Sequence, residues 1–237
     1  MIGLGTLINV GLVIAGGLAG LMFGRFITER IQDTLLKAIG VCILFVGLSG
    51  AIEHMMSVEG THLVGSGSMM MLISMSGGAL IGEMLDLEAH IEQFGEWLKQ
   101  RTGSQNDASF VNAFVTCSLT VSIGAMAIVG SIQDGVTGDW STLALKGAID
   151  AVTVCVMTAG MGRGCIFSAL PILVFEGGMT LLARVLEPIF TTAALLNLSL
   201  VGSLLIFCVG VNLIWPKTFK PANLLPAVVI AALLAFI

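Results

Sequence analysis

The sequence predicts an all-α fold: a polytopic transmembrane helix bundle of about eight spans, with two cytoplasmic amphipathic helices. Three observations carry this. Hydrophobic residues make up 56% of the 237-residue chain and charged residues 11%, where an ordinary globular domain has about 25% charged. Mean hydropathy is +1.02. Eight of the ten Lys and Arg residues fall in alternate gaps between long apolar runs, as expected when basic loops stay cytoplasmic.

The apolar runs are Ile2–Phe23, Leu36–Ile52, Leu63–Met84, Phe110–Ile132, Thr142–Gly160, Gly164–Ala183, Ile189–Trp215 and Leu224–Ile237. A helix needs about 20 such residues to cross a bilayer. The second, fifth and last are short, so they borrow flanking residues or re-enter. Arg25, Arg30 and Lys37 mark the first gap, Lys99 and Arg101 the third, Arg163 the fifth, Lys217 and Lys220 the seventh. Both termini are therefore expected outside, on the periplasmic face. Lys146 and Arg184 are the exceptions, Arg184 reading as an outer-edge anchor near Glu187. Trp140 and Trp215 stand at span ends, where an indole suits the interface. The first residues lack a basic n-region and the apolar run continues to Phe23, so a spanning helix is expected there rather than a cleaved signal.

Between spans, Leu87, Ile91, Phe94 and Leu98 recur at helical spacing, with Glu88, Glu92, Gln93 and Glu96 opposite. That is an amphipathic surface helix. A shorter one is expected from Arg25 to Lys37, and Gln100–Ser109 reads as a disordered linker. The chain is taken as one transmembrane domain, 1–237. Gly16–Gly20 (GGLAG) and Gly78–Gly82 (GALIG) open similar stretches that end at Glu59-Gly60 and Asp134-Gly135. These read either as parallel repeat units 1–60 and 61–135, followed by 136–237, or as a chance likeness of apolar helices. Gly16, Gly20 and Gly24, Gly78 and Gly82, and Gly160 and Gly164 keep the four-residue spacing that lets helices approach closely.

Ionisable groups inside spans are expensive and default to functional candidates. Asp150, Glu176 and Asn9 fall about 13 Å from the same outer level, by helix rise, so three helices bring polar groups to one depth. Glu83, Asn112, Asn212 and Asn223 form a second, cytoplasmic set. Oxygen-rich levels without a basic residue at the inner one suit a small cation or proton. Structural alternatives stand beside each. Asp150 is placed to pair with Lys146 one turn earlier, and Glu83 belongs equally to a solvated acidic group with Asp86 and Glu88. Glu176, before Gly177-Gly178, either lines a break in its span or caps a second half-helix. The Asn residues serve equally as hydrogen-bonding glue.

Other chemistry is poorly represented. The five cysteines lack CxxC or Cys/His spacing, the three histidines form no HExxH, and no serine sits in GxSxG. No enzyme activity, cofactor or metal site is expected. Thirteen methionines read as packing residues. Gln133–Trp140 (QDGVTGDW) reads as a tight outer turn without the ligand ladder of an EF-hand, and Gly160–Gly164 (GMGRG) as a reverse turn without the GK[ST] of a P-loop. No basic patch points to nucleic acid.

The stretches GTLINVGLVIAGGLAGLMFG, GGALIGEMLDLE, GAMAIVGSIQDGVTGDWSTL, FSALPILVFEGGMTLLA and NLLPA resemble the YqgA/YdfK-like bacterial inner-membrane proteins nearly end to end. The resemblance implies an α-helical inner-membrane protein and supplies no substrate. It also implies that Gln often stands where Glu176 is, which favours Asp150 and Glu83 as charge carriers. The expected function is transport or conduction of a small cation or small polar solute by a homo-oligomer in the lipid bilayer. The path would run through Asn9, Asp150, Glu176, Glu83, Asn112, Asn212 and Asn223. The rival is a scaffold whose helix 87–100 docks a cytoplasmic partner.

Overall fold

The computed structural model describes residues 2–24, 28–59, 62–122, 125–186 and 191–236. The expectations placed on Arg25, Gly60, Glu187 and the Arg184 side chain fall outside what is described. The helices are α1 (Leu4–Gly24), α2 (Glu29–Met55), α3 (Ser68–Leu85), α4 (Leu87–Arg101), α5 (Phe110–Ser122), α6 (Ala125–Thr137), α7 (Ser141–Met161), α8 (Ala169–Leu186), α9 (Thr192–Ile214) and α10 (Pro226–Leu233). A small antiparallel hairpin, β1 (Met56–Glu59) and β2 (His62–Gly65), joins α2 to α3. The hydropathy pattern gave no sign of it.

Among the described residues each of the eight apolar runs holds a helix, the third only after β2 ends. Six of these helices are long and apolar enough to cross a membrane, and the fourth run gives a seventh if its two halves count as one span. Those halves, α5 and α6, are bent by 63°. Within α5, Thr120 Oγ1 donates back to Thr116 O at 2.8 Å. The eighth run, Pro221–Phe236, is shorter than a full span. The break expected at Gly177-Gly178 is absent, because α8 runs through it without interruption.

Chain proximity defines two units. The first joins Met1–Ile39 to His90–Glu187, and the second joins Gly40–Ala89 to Pro188–Ile237. In the first, α1 and α7 lie side by side and parallel, as their shared direction in the sequence reading requires. A Cβ at Gly16 would meet Ala151 O at 2.2 Å, and one at Gly20 would meet Cys155 O at 2.3 Å. Only glycine lets these backbones touch. Helix α8 runs antiparallel to α1, since Gly17 faces Ile166 while Thr6 meets Thr180. Phe110, Phe114, Leu143, Met157 and Ile172 fill this unit's core.

In the second unit α3 and α10 are antiparallel, with Gly78 against Ala227 and Gly82 against Asn223. Helices α2 and α9 are also antiparallel, Gly40 facing Gly210 and Gly47 facing Ser203 and Phe207. Met69, Leu72, Ile73, Leu80, Ile81 and Met84 leave α3 a broad exposed apolar face.

Local expectations need three adjustments. The amphipathic segment ending at Lys37 is no separate helix within the described residues, because α2 continues through Gly40. That glycine is a packing contact, its Cβ position 2.7 Å from Ile214 Cγ1. Gln100–Ser109 is ordered: Ser104 is buried, and Asp107 accepts from the Ser109 amide and hydroxyl at 3.1 and 2.8 Å. Arg163 Nε also reaches Asp107 at 3.3 Å. Helix α6 extends to Thr137, so only Gly138–Trp140 remains of the expected outer turn. Helix α4 forms as expected, burying Gly95 and Leu98 and leaving Phe94 and Trp97 exposed and stacked, ring centres 5.7 Å apart. At the end of α7, Gly162 takes φ +99, a left-handed conformation that suits glycine and reverses the chain.

Candidate functional site

Four polar side chains from three helices meet inside the first unit. They are Asn9 on α1, Lys146 and Asp150 on α7, and Glu176 on α8, with relative exposures of 0%, 6%, 7% and 1%. Each arrives for a local reason. Lys146 and Asp150 are four residues apart, hence stacked on one face of α7. Asn9 lies against Gly147, whose missing side chain leaves 2.8 Å between a Cβ and the Asn9 Cα. Antiparallel α8 then brings Glu176 beside Asn9.

The Lys146 ammonium holds the group together. It donates to Asp150 Oδ2, lies 3.3 Å from Glu176 Oε1, and donates to Val121 O at 2.8 Å. Asn9 Nδ2 donates to Glu176 Oε1 at 2.8 Å. Val121 lies in the last described turn of α5, so the buried ammonium is bonded to backbone as well as to the carboxylates.

The charges do not balance. Two carboxylates share one ammonium, which leaves one excess negative charge if all three are ionised. Glu176 Oε2 and Asn9 Oδ1 have no hydrogen-bond partner among the described residues, although both are buried. An uncompensated buried charge is among the costliest arrangements a protein can hold. One proton or one monovalent cation would neutralise the cluster.

Asn9, Asp150 and Glu176, put at one depth by residue counting, do lie together. Asp150 is paired with Lys146, the structural alternative, and in the same cluster as Glu176. The second set is different. Glu83 has an exposed side chain and is bonded to Lys220 Nζ at 2.6 Å and to Asn223 Nδ2 at 2.7 Å. The inner level therefore does hold a basic partner, brought in by the Trp215–Lys220 loop folding back. Asn212 shapes that loop. Its Nδ2 donates to Phe219 O at 2.8 Å, and its Oδ1 accepts from the amides of Thr218 and Phe219 at 3.1 and 2.9 Å. Asn223 Oδ1 accepts from Glu88 N at 2.7 Å, tying the start of α4 down. The hydrogen bond that Lys220 donates to Glu83, with the carboxylate's charge, holds the Lys220 ammonium above the ordinary lysine range. Asn112 is exposed on α5. Glu83, Asn212 and Asn223 thus belong to the second unit and build a surface latch, while Asn112 lies apart from the buried cluster of the first.

The sequence reading missed Val121, whose role comes from its backbone carbonyl. It also missed Asp134, taken for a turn residue. The signal for Asp134 was a run of small residues at helical spacing, Ala127, Gly130, Ser131 and Asp134, all buried on α6. No cluster of three or more His, Cys, Asp or Glu suited to a metal ion occurs among the described residues.

Comparison with known proteins places these features in a wider group. Residues 4–236 match the family described as "Protein of unknown function (DUF554)". The chain is similar to "Uncharacterized membrane protein YdfK" of Bacillus subtilis (strain 168), 26% identical over 233 residues, covering 98% of this chain and 96% of that protein. It is also similar to "Uncharacterized protein YqgA" of Escherichia coli (strain K12), 25% identical over 232 residues, covering 96% and 94%. No solved structure matches.

Proposed function

We propose that this chain, which belongs to the DUF554 family, is a membrane carrier or channel for a small cation. Its binding station would be the cluster of Lys146, Asp150, Glu176 and Asn9. A membrane protein is the firm ground: apolar helices of spanning length and a relative named as a membrane protein agree. The reading of transport rests on one observation, the excess carboxylate beside Lys146 in a buried site made where a span is bent. Ionisable groups at such positions mark ion paths in membrane proteins.

In this reading the ammonium of Lys146 is the fixed charge. The second carboxylate is the exchangeable one, holding a proton or a monovalent cation. Asn9 orients Glu176 by the hydrogen bond to Oε1, leaving Oε2 for the incoming ion. A chain with Gln in place of Glu176 keeps only the balanced Lys146–Asp150 pair and has nothing to exchange. The bacterial inner membrane, with both termini periplasmic, is part of the proposal and rests on the alternation of basic residues.

The test is flux into proteoliposomes. Wild-type protein, reconstituted with a trapped pH-sensitive dye under an imposed sodium or potassium gradient, should move protons or the metal ion. Asp150→Asn and Glu176→Gln should each abolish that movement while leaving the protein folded. Equal flux in wild type and both variants would remove the cluster from the mechanism.

A further inference from the structure

Seven side-chain oxygens in the first unit are buried without a hydrogen-bond partner among the described residues, and four of them lie on α1, α6 and α8: Asn9 Oδ1, Ser131 Oγ, Asp134 Oδ1 and Glu176 Oε2. Ser131 and Asp134 are both 0% exposed and three residues apart, so they share a face of α6. Asp134 uses only one oxygen, accepting from Gly5 N at 3.0 Å. Beside it, Thr6 Oγ1 and Thr180 Oγ1 stand 3.4 Å apart, and a Cβ at Gly135 would meet Thr180 O at 2.3 Å. The rung Thr6–Thr180 lies one helical turn from the rung Asn9–Glu176, since 6 and 9 share a face of α1, and 176 and 180 a face of α8.

We infer that this seam is a hydrated access path, with Asp134 as a second cation-binding station between the charged cluster and the end of the unit where α1 begins and α6 ends. Its unpartnered polar atoms are all oxygens, the donor set of a hard monovalent cation or of a chain of water molecules carrying a proton. Buried unpaired oxygens are rare in native proteins unless water or an ion completes them. Several along one seam, next to a cluster with an excess negative charge, point to that filling. The inference rests on the cluster being an ion station.

The test is labelling of introduced cysteines in a background where the five native cysteines are replaced. Ser131→Cys and Thr180→Cys should react with a membrane-impermeant charged thiol reagent added from one side of reconstituted vesicles. Leu181→Cys, on the exposed apolar face of α8, should stay unlabelled. Sodium should slow labelling of Ser131→Cys, and Asp134→Asn, whose amide oxygen still accepts from Gly5, should remove that protection. Unreactive Ser131→Cys and Thr180→Cys from both sides would show a dry seam and overturn the path. Sodium protection that survives Asp134→Asn, or none in the wild-type background, would overturn the station. Labelling reads hydration without flux, so an absence of flux in the wild type would sink the transport reading alone.

Discussion

Removing Lys146 and removing Asp150 should have unequal consequences. The ammonium contacts Asp150 and Glu176 and donates to Val121 O. Lys146→Met takes away all three contacts and leaves two carboxylates facing each other with no positive charge. Stripping the partner from a buried ion pair costs about 3–5 kcal/mol. Asp150→Asn leaves the ammonium paired with Glu176 and the cluster neutral, so its cost is that of one hydrogen bond, about 1 kcal/mol. For a chain of this length each kcal/mol moves a thermal midpoint by about 2–4 °C. Lys146→Met should then lower the midpoint by about 6–20 °C and Asp150→Asn by about 2–4 °C, scaled by the same slope. The assay is thermal unfolding in detergent, followed by fluorescence of the three tryptophans. Adding Asp150→Asn and Glu176→Gln to Lys146→Met should recover most of the loss. The charge-balance argument fails if Asp150→Asn is as damaging as Lys146→Met, or if Lys146→Met has no effect.

Two further outcomes follow from the geometry. Gly16→Ala places a methyl 2.2 Å from Ala151 O, so α1 and α7 must part, at about 1–3 kcal/mol; Gly11→Ala meets nothing within 4 Å and should gain up to about 1 kcal/mol of helix propensity. Midpoints that rank the other way would contradict the seam. Asp139 lies two residues before α7: hydrogen bonds from the Ser141 hydroxyl, then its amide, hold the carboxyl below its ordinary value. The stabilisation is therefore complete above about pH 4 and lost as pH falls through the lower folded value. Asp139→Ala should unfold earlier than wild type at neutral pH, with the two curves converging in acid. A gap that stays constant as the pH is lowered would contradict the assignment.

Much of the architecture was legible because hydropathy and basic residues report on solvent directly. They fixed the eight apolar segments and their alternating directions. Parallel α1 and α7, and antiparallel α3 and α10, agree with that order. Residue counting along straight helices then brought Asn9, Asp150 and Glu176 to one depth. The misreadings arose where backbone geometry decides. The contact of Lys146 with the Val121 carbonyl is made by backbone and has no side-chain signature. Gly177 looks like a helix break, yet it lies within a continuous helix. Polar residues 100–109 carry turn chemistry that composition alone makes look disordered. Glu83 acquired its partner Lys220 through a loop ordered by Asn212, a contact spanning 137 positions.

The central claim is that the cluster holds one exchangeable proton or monovalent cation to balance its second carboxylate. Infrared difference spectroscopy of the reconstituted protein tests it most directly. In a buffer whose only cation is bulky choline, the wild type should show a protonated carboxyl band that Glu176→Gln and Asp150→Asn each remove, and that added sodium or potassium diminishes. A wild-type spectrum without such a band, or a band unchanged in both variants, would contradict the account.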